Sequence, residues 1–184
     1  MGLPLSQPAF NAEAYLAWEA EQPDKSEYVA GEVYAMVGVR RVHATPYVEA
    51  VQRTAPREGY RLLDAGDTVM SAGTWNAVMR CVGATCAAVD AVVLGRAANA
   101  FCATRPCGHH AEADRAMGFC VFNQAAIAAL HARHVHGLAR IAVVDFDVHH
   151  GNGTQDAFER DPELFFGSSH QSPFYPGTGA RHER

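Results

Sequence analysis

Apolar positions recur along this chain with two different spacings, one typical of helices and one typical of strands. Helical spacing predicts helices over residues 11–22, 45–55, 73–95 and 123–136. The last two segments are followed by Gly95 and Gly137, and glycine commonly ends a helix. The chain is therefore expected to be rich in amphipathic helices.

Short apolar runs between these helices predict strands. The run IAVVDF at residues 141–146 is continuous, β-branched and too short for a core helix, so it predicts a central parallel strand. Residues 99–103 and 164–169 are further strand candidates, and EYVAGEVYAMVGV predicts a hairpin that turns at Ala30-Gly31-Glu32. Strands that alternate with helices indicate an α/β protein with a parallel sheet.

Composition narrows the class of protein without naming a function. The 184 residues are 48% hydrophobic and 19% charged, as expected of a folded domain, and the net charge of -5 gives no basic surface for nucleic acid. No uninterrupted apolar run reaches the roughly 18 residues of a membrane span, and no secretory leader is recognisable, so we expect a cytoplasmic protein. Five cysteines without a C-x-x-C pair predict reduced thiols rather than disulfides or a thiolate zinc site.

Two polar segments follow the predicted strands, Gly108-His109-His110-Ala111 and the stretch 145–153. In open α/β sheets ligands bind beyond the carboxyl ends of the strands, so these segments are expected to converge. Asp147 and His149 lie two positions apart on an extended chain and point to the same side, where they can share one ion. A carboxylate and an imidazole suit zinc, although a catalytic zinc site has about three protein ligands and the sequence offers two.

A single Asp or His at a strand end is more often a cap or a loop hydrogen bond than a metal ligand. Here two carboxylates, two adjacent His pairs and a Gly-x-Gly turn occur together. Packing alone does not explain this combination, because a buried charge costs several kcal/mol unless it is paired or metal-bound. The combination therefore favours a functional site.

Four motifs in a fixed order carry a family resemblance: R-P-x-G-H-H-A-E, G-F-C-x-F-N, V-D-F-D-V-H-H-G-N-G-T-Q and S-x-H-Q-S-P-x-Y-P-G-T-G. From about residue 40 to residue 184 the chain resembles the histone deacetylase and acetylpolyamine amidohydrolase superfamily, particularly its class II and bacterial branch. The resemblance implies a three-layer, arginase-like α/β fold with a central parallel sheet, here incomplete at both ends. It also implies hydrolysis of acetyl-lysine, acetylpolyamine or related amides.

Residue by residue, the resemblance implies that Asp147 and His149 bind Zn²⁺. His109 and His110 become the tandem histidines, one a general acid and base and the other an electrostatic support, and which is which stays open. Asp145 would orient His109. Together with Ser168, Asp145 would also contribute to a monovalent-cation site, such as one for K⁺. Asn152 would orient His110, and an Asn there resembles the class II branch.

The same resemblance implies a substrate channel. Phe119 and Tyr175 would line it, the Gly118 carbonyl would accept the substrate amide, and Asp67 would match an acidic residue at the rim. Without the resemblance, each aromatic residue is as well explained by the core. Cys107 and Ser169 depart from the proline and leucine that the family usually has.

The remaining histidines are interpreted without catalytic roles. His131, His134 and His136 lie on or near one predicted helix and are expected to face solvent. His150 points across the strand from His149 and is expected to be structural.

Two family motifs are missing from the 184 residues: the third zinc ligand, an aspartate, and the transition-state tyrosine. Asp156 and Asp161 lie on a helix-like stretch and do not replace that ligand. We therefore expect this chain alone to be weakly active or inactive. A non-catalytic module that binds acyl-lysine or a partner chain is the alternative, and the oligomeric state is not predicted.

Residues 9–39 resemble the N-terminal helix and hairpin of a bacterial restriction-endonuclease-like family with the PD-(D/E)XK fold, without its catalytic motifs. This second resemblance divides the chain into residues 1–39 and residues 40–184. A gene fusion, a rearranged pseudogene and an assembly artefact all fit that division. A nuclease function does not, because the nuclease chemistry is absent.

Overall fold

The computed structural model describes residues 26–29 and 32–183, with side chains from residue 38 onward. The predicted helix at 11–22 lies outside these residues. Strands β1 (Ser26–Val29) and β2 (Glu32–Ala35) pair antiparallel with Val29 opposite Glu32, which confirms the predicted hairpin. Its second strand is shorter than predicted, because the chain turns directly into helix α1 (Met36–Val42). The predicted domain boundary near residue 40 falls inside α1 and stays a prediction.

Helix α2 (Thr45–Thr54) agrees with the predicted segment 45–55 and has Pro46 in its first turn, where a missing N–H costs no hydrogen bond. It is followed by strands β3 (Tyr60–Leu62) and β4 (Val69–Ser71), an antiparallel hairpin that the sequence did not indicate. Asp64 shapes the connection between the strands. Its carboxylate accepts the backbone N–H of Gly66 at 3.1 Å and that of Thr68 at 3.0 Å.

The two long predicted helices are confirmed as α3 (Thr74–Val93) and α4 (Gln124–His136). The Asn123 side chain begins α4 by accepting the N–H of Ala126 at 3.0 Å. Gly137 ends the helix at φ 68°, a left-handed conformation that suits glycine. By length and composition alone, α3 is also long and apolar enough to cross a membrane. Arg80 and Asp90 interrupt its apolar sequence, so it is not an uninterrupted apolar run. Core helices of soluble proteins can be equally long and equally apolar.

A first core lies between α1, α2, α3 and the start of α4. Phe122 is fully buried at its centre and meets Trp75 and Tyr47 edge-on, each with ring centroids 6.0 Å apart. Burial of an aromatic side chain of this size contributes about 2–3 kcal/mol. The buried members are Val39, Val48, Val51, Met70, Trp75, Val78, Met79, Val82, Val121, Phe122 and Ile127.

The parallel sheet consists of β5 (Ile141–Asp145) and β6 (Leu164–Ser168), which agree with two predicted strands and are joined through α5 (Asn152–Phe158). Ile141 pairs with Leu164 and Asp145 pairs with Ser168. A second, smaller core packs one side of this sheet against α4 and α5 through Ala126, Ala129, Phe158 and Leu164. Together with the helices, this parallel pair gives the predicted α/β class.

Two strand predictions need correction. Residues 99–103 form no strand, and Phe101 is 92% exposed, because an apolar run becomes a strand only when a neighbour completes its hydrogen bonds. The predicted central strand, β5, pairs with β6 alone within the described residues, and Val144 on its outer face is exposed. The apolar pattern identified β5 but not the number of its neighbours.

Candidate active site

The tandem-histidine loop and the loop after β5 are joined by their backbones. The N–H groups of Gly153 and Thr154 both donate to the carbonyl oxygen of His109, at 2.9 and 3.2 Å. A Cβ on Gly153 would overlap the carbonyl of Ala111, and one on Gly151 would overlap the carboxylate of Asp145. The Gly-x-Gly turn therefore permits the close approach of the two loops.

His109 lies against a carboxylate. Its Nδ1 is 2.9 Å from Oδ2 of Asp145, whose other oxygen accepts the backbone N–H of Asp147 at 3.1 Å. Burial raises the pKa of Asp145, but the bonds from His109 and Asp147 outweigh it and leave that pKa lowered. For His109, burial lowers the pKa, and the bond to Asp145 with the nearby negative charges outweighs it, so the pKa is raised.

His110 lies against an amide. Its Nδ1–H donates to Oδ1 of Asn152 at 2.8 Å, and the Asn152 amide nitrogen donates to Glu112 at 2.6 Å. Because a carboxylate only accepts, Glu112 fixes which end of the amide faces the imidazole. Arg115 in turn holds both oxygens of Glu112 at 2.8 Å. Burial lowers the pKa of His110 despite the bond to Asn152.

Glu112 was missed as a functional residue, although it stands in the quoted R-P-x-G-H-H-A-E motif. The position of Glu112, two residues after His110, does not indicate that its carboxylate accepts a hydrogen bond from Asn152, 40 residues later. Only the fold brings Glu112 to Asn152.

Asp147 and His149 have the geometry of a ligand pair. Oδ1 of Asp147 lies 3.5 Å from Nδ1 of His149. Zinc bonds of 2.0–2.1 Å in a tetrahedron separate neighbouring ligand atoms by about 3.4 Å, so the two donors fit one zinc ion. Within the described part of the chain, no group of three possible ligands includes this pair. Two donors are fewer than the roughly three protein ligands of a catalytic zinc site.

The tandem histidines face this pair. The rings of His109 and His110 lie 3.9 Å apart, and the rings of His110 and His149 lie 6.0 Å apart. Nε2 of His109 is 3.9 Å from Oδ1 of Asp147. The four side chains on which the sequence interpretation depends thus border one small region, although only Asp147 and His149 follow a strand, because residues 99–103 form none.

Tyr175 forms one wall of this region. Its ring stands edge-on to His110 with centroids 5.1 Å apart and edge-on to His149 with centroids 5.6 Å apart. A Cβ on Gly118 would lie 2.9 Å from the Tyr175 hydroxyl and would overlap His110, so only glycine leaves room for both rings. Burial, followed by the charge of Asp67, raises the pKa of Tyr175 to about 12 and keeps its hydroxyl protonated.

Phe119 and Asp67 lie on adjoining segments. Phe119 has a φ of 66° and is 60% exposed, and its backbone N–H donates to the Thr68 hydroxyl at 3.1 Å. That hydroxyl also donates to Asp64 at 2.7 Å, so the turn that carries Asp67 rests against Gly118 and Phe119. The predicted channel residues thus neighbour one another at the edge of the site.

The Gly118 carbonyl faces two cysteines, which bears on its predicted contact with substrate. It accepts the thiols of Cys120 at 3.3 Å and Cys107 at 3.7 Å, and the Cys120 thiol also lies 3.4 Å from Cys107 Sγ. The thiol of Cys120 lowers the pKa of the exposed Cys107. All five cysteines are free, in agreement with the sequence.

Ser168 and His150 lie behind the site. The Ser168 hydroxyl is 2.8 Å from Nδ1 of His170, while its backbone pairs with Asp145 across the sheet. His150 is buried, hydrogen-bonded to the Thr178 hydroxyl at 2.9 Å and packed on His170 with ring centroids 4.7 Å apart. The structural role expected for His150 agrees with these contacts.

Two of the three histidines expected to face solvent do not. His131 and His136 each place Nε2 on the same oxygen of Asp90, at 2.7 and 2.6 Å, because α4 packs against α3 and both rings turn toward Asp90. His134 is exposed, as expected. The sequence spacing favoured a pair at 131 and 134 and missed the acceptor that α3 supplies.

Comparison with known proteins places the chain in a family. A family model described as the histone deacetylase domain matches residues 12–184, and the chain belongs to this family. The match begins at residue 12, inside the segment 9–39 that resembles an endonuclease-like family. That second resemblance is not supported by the match.

Relatives from several kingdoms carry deacetylase names. The chain is 43% identical over 150 residues to "Histone deacetylase 14, chloroplastic" of Arabidopsis thaliana, covering 77% of this chain and 36% of the relative. It is 40% identical over 149 residues to "Polyamine deacetylase HDAC10" of Rattus norvegicus, covering 76% and 25%. It is 40% identical over 136 residues to "Histone deacetylase-like amidohydrolase" of Pseudomonas aeruginosa, covering 74% and 35%.

The fold agrees with this family. The crystal structure of the HDA15 HD domain matches with a TM-score of 0.77 and 37% identity over 82% of this chain and 42% of that chain. The chain therefore spans less than half of this structural relative and about a quarter to a third of the three sequence relatives named above.

Proposed function

We propose that this chain supplies the tandem-histidine and metal-ligand part of a zinc-dependent deacetylase that acts on acetylated amines. The convergence of His109 and His110 with Asp147 and His149 carries the proposal. Membership of the histone deacetylase family supports it, as do relatives named as a polyamine deacetylase and an amidohydrolase.

Asp147 and His149 would hold the zinc, which supplies Lewis-acid polarisation of the acyl group and lowers the pKa of a water. Their separation of 3.5 Å supports this role. Asp145 and Ser168 are our proposed contributors to a monovalent-cation site behind it.

The hydrogen-bond partners of His109 and His110 support different catalytic roles for the two side chains, which the sequence left open. His109 lies against the ionised Asp145, which stabilises a positive charge on its ring. His110 lies against a neutral amide, which holds Nδ1–H and leaves the lone pair of Nε2 free. We therefore assign His110 as the general base, which takes a proton from the attacking water and passes it to the departing amine, and His109 as electrostatic support.

Phe119 and Tyr175 would line the channel for an acetylated lysine or polyamine stem, with Asp67 at its rim. The close packing of Gly118 against Tyr175 and His110 supports a narrow entrance. The Gly118 carbonyl would accept the substrate amide only by giving up a thiol contact.

On its own, the 184-residue chain is proposed to turn over slowly, because its sequence holds two zinc ligands and lacks the family's tyrosine motif. The test is binding of an acetyl-lysine peptide with and without zinc, alongside a deacetylation assay. We expect zinc-dependent binding that His149→Ala abolishes, with little turnover. Equal binding by His149→Ala would favour the non-catalytic module, and no binding at all would contradict both proposals.

Three finer assignments remain our proposals. Asn152 beside His110 supports a place in the class II-like bacterial branch. The net charge of -5 supports the absence of direct nucleic-acid binding, and the cytoplasmic location stays a prediction. The division at residue 39, with an endonuclease-like first segment, rests on sequence resemblance alone.

A further inference from the structure

A second cluster of metal-binding side chains lies away from the tandem histidines, where α4 packs against α3. Asp90 is near the end of α3, and His131 and His136 are on α4. Nε2 of His131 is 2.7 Å and Nε2 of His136 is 2.6 Å from Oδ1 of Asp90. The three candidate ligand atoms all lie within 4.8 Å of one another.

The cluster depends on the packing of two helices. Residues five apart on a helix are about 140° apart around its axis and about 7.5 Å apart along it, so His131 and His136 do not share a face. Their rings meet edge to face with centroids 5.7 Å apart only because both reach toward Asp90. The side chains of Asp90, His131 and His136 are 16%, 17% and 9% exposed, so each keeps some contact with solvent.

We propose that Asp90, His131 and His136 form a second metal site, for a divalent ion of the zinc and nickel class, independent of Asp147 and His149. Two imidazoles and one carboxylate are a donor set that such ions prefer over Mg²⁺ or Ca²⁺. A water completes the coordination from the exposed side.

The present distances are those of hydrogen bonds, and metal binding requires only a small change. Zinc ligands in a tetrahedron lie about 3.4 Å apart, so the Asp90 oxygen moves about 0.7 Å from each Nε2. At present each Nε2 carries a hydrogen, because the Asp90 carboxylate only accepts. On metal binding that proton leaves to solvent, and each ring binds as a neutral imidazole with its proton on Nδ1 and the Nε2 lone pair on the ion. The ion then joins the two helices and stabilises the folded chain, since it binds the unfolded chain more weakly.

The test removes the first site so that the second is seen alone. In a His149→Ala background, the whole chain is titrated with Zn²⁺ by calorimetry and its thermal transition is followed. We expect close to one bound zinc per chain and a rise in Tm with zinc concentration. Adding His136→Gln or, separately, His131→Gln should weaken zinc binding at least tenfold and abolish the rise.

His134→Gln in the same background is the matched control, because His134 lies on the same helix and is exposed. It should bind zinc as the His149→Ala parent does. Circular dichroism of each metal-free variant separates loss of the site from loss of the fold. If His131→Gln and His136→Gln variants that remain folded bind zinc as tightly as the parent, the proposal is wrong. Since every variant lacks His149, neither outcome depends on the deacetylase assignment.

Discussion

The two cores of this molecule differ in how completely they are enclosed. The first core surrounds Phe122 on all sides, whereas the second covers one side of the sheet and leaves Val144 and Phe165 exposed on the other. The candidate active site is built from both. Gly108 packs against the backbone of Phe122, and Asp145 ends a strand of the half-covered sheet. Packing against Phe122 and backbone hydrogen bonds to the loop after β5 together place the tandem histidines.

The strongest test of this difference replaces one phenylalanine in each region. Phe122→Ala should lower the free energy of unfolding by about 3–5 kcal/mol, because it opens a cavity in a core that cannot collapse. Phe165→Ala, at a side chain 61% exposed, should change it by less than about 1 kcal/mol. Urea unfolding measures both, and similar losses would show that the two regions are equally well packed.

The pH dependence of stability tests how completely the first core encloses a titratable side chain, His43. His43 is buried, donates from Nδ1 to the Glu112 carbonyl at 2.8 Å and accepts the Asn123 N–H on Nε2 at 2.9 Å. Burial lowers its pKa from 6.5 to about 4. The unfolded chain therefore binds more protons between these values, and stability is present above pH 6.5 and lost as pH falls toward 4.

The free energy of unfolding lost between pH 6.5 and pH 4 is about 3 kcal/mol, since one pKa unit corresponds to about 1.4 kcal/mol. His43→Gln should flatten the dependence of unfolding free energy on pH over this window, measured by urea unfolding from pH 4 to 7. His134→Gln, at an exposed histidine whose pKa is also lowered by partial burial and nearby arginines, is the comparison and should flatten the slope less. An unchanged slope in His43→Gln would mean that another group titrates.

The close approach between the two loops can be tested at a glycine. Gly153→Ala adds a methyl that meets the Ala111 carbonyl and should cost about 1–3 kcal/mol. Gly66→Ala is the control, because its added methyl has only Asp64 within 4.0 Å and should change stability by less than about 0.5 kcal/mol. Chemical unfolding of both variants is the measurement, and a harmless Gly153→Ala would mean that the loops are not tightly joined.

The smallest effect concerns thiol reactivity at the edge of the site. Cys107 is exposed with a lowered pKa, whereas burial raises the pKa of Cys86 to about 12. Iodoacetamide at neutral pH should modify Cys107 on the order of ten times faster than Cys86, because the thiolate is the nucleophile. Peptide mass spectrometry measures the two rates. Cys120→Ala should slow the reaction at Cys107, and an unchanged rate would contradict the role of that contact.

Local patterns were sufficient for helices α2, α3 and α4 but not for α1, which begins inside the segment predicted as a hairpin. Helical spacing predicted α2, α3 and α4, and the order of motifs brought out His109, His110, Asp147 and His149. What local patterns could not supply was the identity of distant neighbours. The run at 99–103 had the composition of a strand but finds no pairing strand in the described chain, and β5 was expected to lie between two strands.

The same limit explains the polar residues that were misjudged or missed. His131 and His136 were expected to face solvent, because spacing along one helix does not reveal a partner on another. Their acceptor, Asp90, lies about 40 residues earlier on α3. His43 and Glu112 likewise make contacts across large sequence separations.

The double hydrogen bond to the His109 carbonyl has a practical consequence. Two main-chain amides hold the tandem-histidine loop to the loop after β5, and substitutions other than proline at 153 or 154 leave both amides in place. Alanine substitution of the imidazole and carboxylate side chains should therefore remove the proposed catalytic and metal-binding groups. The backbone arrangement of the two loops should remain. For protein engineering, residues 108–112 and 145–154 are best transplanted together as one cassette, since the two hydrogen bonds to the His109 carbonyl join them.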